Sequence, residues 1–180
     1  MFELIGGPEK RDIVLTGYSE SWPAMFSQER ERIVGALGEK AFRVDHVGST
    51  SVPGLTAKPI IDIDLSVFDA EDEADYVPAL ESAGYQLGVR ETGHRMMRTA
   101  DRSVHLHICS AGSEWERRHL LFRDWLRTDQ ADRQAYAALK LQLAQRDWPD
   151  AEAYADAKSG LIAEITDRAE SWAAATSWTV

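Results

Sequence analysis

Apolar and polar positions along this chain change rhythm three times. Ser21 can cap a helix with Pro23 in its first turn, and Phe26, Ile33 and Leu37 then fall on one helical face until Gly35 and Gly38 weaken the pattern. Residues 42–47 alternate, with Phe42, Val44 and His46 set against Arg43, Asp45 and Val47. Residues 60–67 keep the same period of two, with Ile61, Ile63, Leu65 and Val67 set against Asp62, Asp64 and Ser66. Between these two strands runs a loop, residues 48–59, marked by its glycines and prolines.

Further along, residues 69–83 read as a second helix in spite of Pro78, and 85–89, 95–100 and 104–109 read as short strands. Ser113, with Glu116 three residues on, is a capping-box signature for a helix carrying Trp115, Phe122, Trp125 and Leu126. Tyr136, Leu139 and Leu143 serve another helix up to Trp148 and Pro149, and Tyr154, Leu161, Ile162 and Ile165 serve an alanine-rich last one. The order predicts an α+β fold in one domain over residues 1–180, a mixed β-sheet flanked by helices with a helical C-terminal third from about residue 113.

Composition narrows the partners. Twenty basic against thirty acidic residues leave a net charge of −10, which disfavours a sequence-independent binder of nucleic acid or of an anionic membrane. The single cysteine, Cys109, can neither close an internal disulfide nor build a cysteine zinc site, which suits a reducing cytoplasm. Glu3, Pro8, Glu9, Lys10, Arg11 and Asp12 interrupt any apolar leader, and no run of about 18 apolar residues occurs, so a cytoplasmic protein without a membrane span is expected.

The polar positions of the second strand carry the chemistry. Asp62 and Asp64 leave one strand face with α-carbons about 6.6 Å apart, a span one divalent cation can bridge. The bland alternative is a polar face meeting water. Gly48, Ser49 and Thr50 directly follow a strand, where a small turn can offer N–H groups and hydroxyls to phosphate oxygens. Carboxylates beside phosphates call for a metal, and Mg²⁺ between the two is the usual arrangement for phosphoryl and nucleotidyl transfer.

His105 and His107 share a face of a later strand, opposite Val104, Leu106 and Ile108. A neutral imidazole there can be a ligand or general base, and it favours Mn²⁺ or Zn²⁺ over Mg²⁺; His107 is the more central of the two. Lys58, Arg95 and Arg98 could meet phosphate. Tyr154 and Lys158, spaced i, i+4, could stack a base and meet a phosphate, with core packing the competing account of the tyrosine. His119 lies among arginines on a helix, while His46 and His94 have no obvious partner, so these three take surface or structural roles. P-loop, dinucleotide and α/β-hydrolase fingerprints are absent, and Ser49 as a nucleophile has no base indicated by the sequence.

A strand ending in Gly-Ser, followed about a dozen residues later by D-x-D on a second strand, resembles the nucleotidyltransferase superfamily with its DNA polymerase beta-like core. The stretch HVGSTSVPGLTAKPIIDIDLSV looks like the signature of the GrpB family. The similarity continues through Gly17-Tyr18, Trp22, VHLHI, WERRHLLFRDWLR, and Tyr154 with Ala157-Lys158, spanning Val14 to Ile165. This resemblance implies a nucleotidyltransferase-like mixed sheet and transfer of a nucleotidyl group from a nucleoside triphosphate to an unidentified acceptor. Asp62, Asp64 and His107 would then hold a divalent metal, Mg²⁺ or Mn²⁺ with Zn²⁺ as a further option. Gly48, Ser49, Thr50, Lys58, Arg98, Tyr154 and Lys158 would receive the nucleotide.

One departure from active superfamily members stands out. They generally add a third carboxylate from a neighbouring strand, where this chain offers His105 and His107. Two alternatives therefore stay open. One is a catalytically silent nucleotide- or partner-binding module, since similar sequences are fused to dephospho-CoA kinase in some bacteria. The other is a metal-dependent phosphohydrolase with His107 as base.

Overall fold

In the computed structural model, which describes residues 2–5 and 13–180, six strands form one mixed sheet. They are β1 (Phe2–Leu4), β2 (Arg43–Val47), β3 (Ile61–Val67), β4 (Tyr85–Glu91), β5 (His94–Thr99) and β6 (Val104–Ser110), in the order β1-β4-β5-β6-β3-β2. β3 and β6 run parallel at the centre, and the other neighbours pair antiparallel. The helices are α1 (Trp22–Leu37), α2 (Val77–Ser82), α3 (Glu114–Thr128), α4 (Gln130–Leu143), α5 (Ala151–Asp156) and α6 (Ser159–Thr176). The α+β class expected from the pattern is the class observed.

The period of two in β3 divides the molecule. Ile61, Ile63, Leu65 and Val67 join Leu106, Ile108 and Met97 in the main core, together with Trp22, Ile33 and Leu37 of α1 and Leu80 of α2. Each such side chain, once buried, contributes about 1.5–3 kcal/mol. On the opposite face, the parallel register sets Asp62 beside His105, Asp64 beside His107 and Ser66 beside Cys109. Polar groups there need partners once covered, and α3 covers them. Ser66 Oγ donates to Glu116 Oε1 at 2.6 Å, and the Gly112 N–H donates to Glu116 Oε2 at 2.6 Å.

That geometry alters the expected capping box. Ser113 Oγ accepts from the Glu116 N–H at 3.4 Å, so the forward half forms. The Glu116 carboxylate, however, is buried against β3 instead of returning to the Ser113 N–H, which donates to Ser110 O at 3.1 Å.

Other departures are local. The helix expected over 69–83 contracts to a 3-10 turn at Glu73–Asp75 followed by α2, because proline suits a helix only in its first turn and Pro78 stands there. The last helix divides into α5 and α6 around Ala157 and Lys158. β1 was not expected, since three residues are too short to show a period, yet it pairs with β4 at the sheet edge. Ser21 precedes α1 without a side-chain cap; its Oγ pairs with Ser19 Oγ at 2.7 Å. Pro8, Glu9, Lys10, Arg11 and Asp12, which break the apolar pattern near the N-terminus, lie outside the described residues. Among the described residues no helix is long and apolar enough to cross a membrane.

Glu116→Ala strands two donors at the junction of α3 and the sheet. The variant is expected to lose at least about 1–3 kcal/mol of stability, seen as a lower urea midpoint at unchanged slope, with Glu116→Gln intermediate. An unchanged midpoint would show that the junction does not depend on this carboxylate.

Candidate functional site

Where the polar face of β3 and β6 meets the loop after β2 and the C-terminal helices, a cleft of about 470 Å³ opens. Gly48 forms one wall. Its φ is +67°, and a Cβ there would stand 2.9 Å from Asp62 Cβ and closer still to the carboxylate oxygen, so a larger residue is barred by both backbone and space. Ser49–Ser51 then make a 3-10 turn, whose leading N–H groups have no acceptor within the turn.

Three lysines surround this turn. Lys140, on α4, donates from Nζ to Ser49 Oγ at 2.9 Å and to Thr56 O, and is almost fully buried. Lys58 and Lys158 bring their ammonium groups 5.2 and 4.5 Å from the centre of the Tyr154 ring, and Lys140 stands 4.7 Å from that of Tyr136. Burial lowers the Lys140 pKa to about 7, aided by the charges of Lys158 and Lys58 and opposed by Asp62. Burial likewise lowers Lys158 to about 8, with Lys58 adding to the effect.

The carboxylates face imidazoles. Asp62 Oδ1 lies 3.5 Å from His105 Nδ1 and 3.8 Å from His107 Nε2. Burial would raise the Asp62 pKa, but hydrogen bonding and charge from the two histidines hold it well below the usual carboxylate range. Asp64 is buried, and both its oxygens lie 3.0 Å from Nδ1 of His119 on α3. His107 Nδ1 meets His94 Nε2 at 3.1 Å, and the His94 ring stacks on Trp115 with centroids 3.7 Å apart. Burial brings the His94 pKa down to about 3, helped by His107.

Asp62 and Asp64 do share a face, yet each turns to a different imidazole. As arranged, these donors do not fit a Mg²⁺ ion bridged by the two carboxylates, because a hard cation takes mainly oxygen ligands and Asp64, buried beneath His119, does not line the cleft that Asp62 lines. Among the described residues no group of three or more histidine, cysteine or acidic side chains is disposed to hold a metal ion.

The remaining expected residues divide. Gly48, Ser49, Thr50, Lys58, Tyr154 and Lys158 line the cleft with Asp62 and His107. The Thr50 hydroxyl is already spent: it donates to Ile60 O at 3.1 Å and therefore accepts from His46 Nε2 at 2.9 Å. Arg98 lies opposite His105 on β5 but does not line the cleft, and Arg95 is held by Glu71 and Glu73 at 2.7 and 2.6 Å. Tyr154 is buried, as core packing would have it, while its ring still forms the floor under two lysines.

Sequence reasoning missed Lys140, Tyr136 and Arg118 as cleft residues and took His119 for a bystander. One signal was present. Tyr136 with Lys140 repeats the Tyr-x-x-x-Lys spacing of Tyr154 with Lys158, and both pairs put an ammonium over an aromatic ring in the same cleft. His46 and His94, which had no evident partners in sequence, find Thr50 and His107.

A mixed sheet with an antiparallel edge strand next to a central parallel pair, carrying acidic and imidazole groups beneath a lysine-lined helical cover, defines an α+β protein with one cleft at the sheet centre. Residues 12–168 match the family model described as GrpB protein, and the chain belongs to the GrpB family. A UPF0157 protein of Halalkalibacterium halodurans is 49% identical over 90% of this chain and 85% of its own length. One from Streptomyces coelicolor is 48% identical over 93% and 89%. The crystal structure of the conserved protein GrpB from Enterococcus faecalis superposes with a TM-score of 0.78 at 34% identity, covering 88% of this chain and 99% of that one.

Two measurements probe this construction. Gly48→Ala is expected to displace Asp62 or to destabilise the fold by about 1–3 kcal/mol; a variant with unaltered stability and unaltered Asp62 position would remove the close packing argument. The second concerns pH. Burial lowers the His46 pKa from 6.5 to about 4, so the unfolded chain binds the extra proton first. The His46 contribution is therefore complete above pH 6.5 and fades as pH falls towards 4, by at most about 3 kcal/mol. His94 acts with the same sign. Stability measured across that window should fall less steeply in His46→Gln than in wild type.

Proposed function

We propose that the cleft binds a nucleoside triphosphate and transfers its nucleotidyl group to a hydroxyl-bearing acceptor. The observation that carries this reading is the crowding of Lys58, Lys140 and Lys158 around the Gly48–Ser49 turn. Lys140 and Lys158 are depressed in pKa by burial and by neighbouring lysines, Lys58 acting on both, and Asp62 is the acidic group whose charge bears on both. Such a surplus of buried positive charge is unfavourable until an anion enters, and a polyphosphate supplies several charges in one chain.

In this reading the lysines and the Ser49 and Thr50 N–H groups receive the phosphates. The acceptor oxygen attacks the α-phosphorus, its proton passes to Nε2 of His119, and pyrophosphate leaves towards the lysines, which meet the charge it carries away. His119 suits the role because Asp64 holds its Nδ1 and its ring lines the cleft. His107 has both nitrogens occupied, towards His94 and Asp62, and acts by holding Asp62 in place. A second reading, a silent nucleotide-binding module, is favoured by one feature: β6 brings histidines to Asp62 where a third carboxylate would stand.

Nucleotide binding and turnover separate the readings. ATP, GTP, CTP and UTP, each with and without Mg²⁺ or Mn²⁺, should raise the melting temperature of wild type, and Lys140→Met and Lys158→Met should weaken that binding at least about tenfold. Removing the Lys158 ammonium should not lower the melting temperature of the apoprotein, whereas Lys140→Met also takes the donor from Thr56 O and Ser49 Oγ and should lower it. His119→Gln should keep binding while pyrophosphate release falls by about 10² to 10⁴. Binding without release in wild type would favour the silent module, release of inorganic phosphate to water would favour a hydrolase, and no binding of any triphosphate would end the proposal.

A further inference from the structure

Across the loop of residues 48–53 from the lysine cleft lies a second cavity, of about 590 Å³, with Thr50 in the wall of both. Its basic side is built by Arg123 and Arg127 of α3 and Arg133 of α4, and Tyr18 and Phe26 face them with His46. The His46 ring stacks on Phe26 with centroids 4.9 Å apart, so this side is flat and aromatic.

Carbonyl and carboxylate oxygens fix the guanidinium groups. Arg127 Nε donates to Ser51 O at 3.0 Å, and Arg133 Nη1 donates to Leu126 O at 2.8 Å and Arg127 O at 3.2 Å. Carbonyl oxygens position both forks, and Arg133 is held by carbonyls alone, which do not neutralise it. Arg123 is different: its Nε lies 2.8 Å from Asp124 and its Nη1 3.3 Å from Asp45. Asp45 is shared with Arg43 at 3.2 Å, and Asp124 with Arg127 at 3.6 Å. Asp45 and Asp124 thus serve three guanidinium groups between them, and Arg133 has no carboxylate within ion-pair distance among the described residues. Burial and the charge of Arg123 both work against the charged form of Arg127.

We infer that this arginine pocket is a second binding site, for a small molecule that carries a carboxylate or phosphate on a planar ring. The Arg133 fork, held through Nη1 alone, turns Nε and Nη2 to the ligand, the geometry that grips a planar or tetrahedral anion by two hydrogen bonds, with Arg127 beside it adding charge. The aromatic side stacks the ring. The site is independent of the nucleotidyl-transfer reading, although Arg127 grips the carbonyl of Ser51 and so ties the pocket to the turn that lines the cleft.

Titration with benzoate and with phenyl phosphate, followed by NMR signals of backbone and guanidinium N–H groups, tests the inference. Saturable shifts are expected at Ser51, Arg127 and Arg133 with both probes, persisting in Lys158→Met and weakened at least about tenfold in Arg133→Gln, with Arg127→Gln as a second variant. Circular dichroism establishes that each variant is folded. Preference for one probe decides between a carboxylate and a phosphate. Shifts confined to the lysine cleft, or no saturation at the arginines by about 10 mM probe, would overturn the second site while leaving triphosphate binding at the lysines untouched.

Discussion

The parallel pairing of β3 with β6 is the constraint on which the rest depends. It aligns Asp62, Asp64 and Ser66 with His105, His107 and Cys109 in the middle of one sheet face, where edge strands cannot relieve them and solvent is mostly shut out. A buried carboxylate without partners is costly, so the covering helices bring polar groups of their own. Glu116 answers Ser66, and His119 answers Asp64. Asp62 lies at the end where the cover opens, and the cleft begins there.

The cleft carries the opposite electrical character from the chain. A protein with a net charge of −10 gathers three lysines around one glycine turn and orders three arginines beyond it. Lysines whose affinity for protons is lowered by burial and by a neighbouring lysine work against the folded state, so their assembly is easier to understand as preparation for an anionic ligand than as a source of stability. Placing the ammonium groups over Tyr136 and Tyr154 moderates the cost without neutralising them.

Much of the architecture was legible in the chain because it rests on local periodicity. The alternation at 60–67 and 104–109 found β3 and β6 within a residue or so, and the face carrying Asp62 and Asp64 was readable from spacing alone. What stayed hidden depends on long-range placement. Nothing local says that His119 falls on Asp64, fifty-five residues away, or that Lys140 reaches Ser49 across ninety-one. The expected carboxylate pair was right about the face and silent about the partners, since a strand pattern specifies which side a group leaves from but not what descends on it. Glu116 followed the capping pattern in sequence while its side chain answered a stronger demand from the sheet.

That diversion of Glu116 has a mechanical side. Glu116 and His119 stand three residues apart on α3, on neighbouring turns of one helical face, and each is fastened to β3, at Ser66 and Asp64. Two attachments along one face fix the helix against rotation about its axis as well as against sliding along it, since either movement breaks both at once. α3 therefore behaves as a clamped beam whose angular setting is inherited from the strand beneath, and everything further along it, from Phe122 and Arg123 to Arg127, takes its bearing from that clamp.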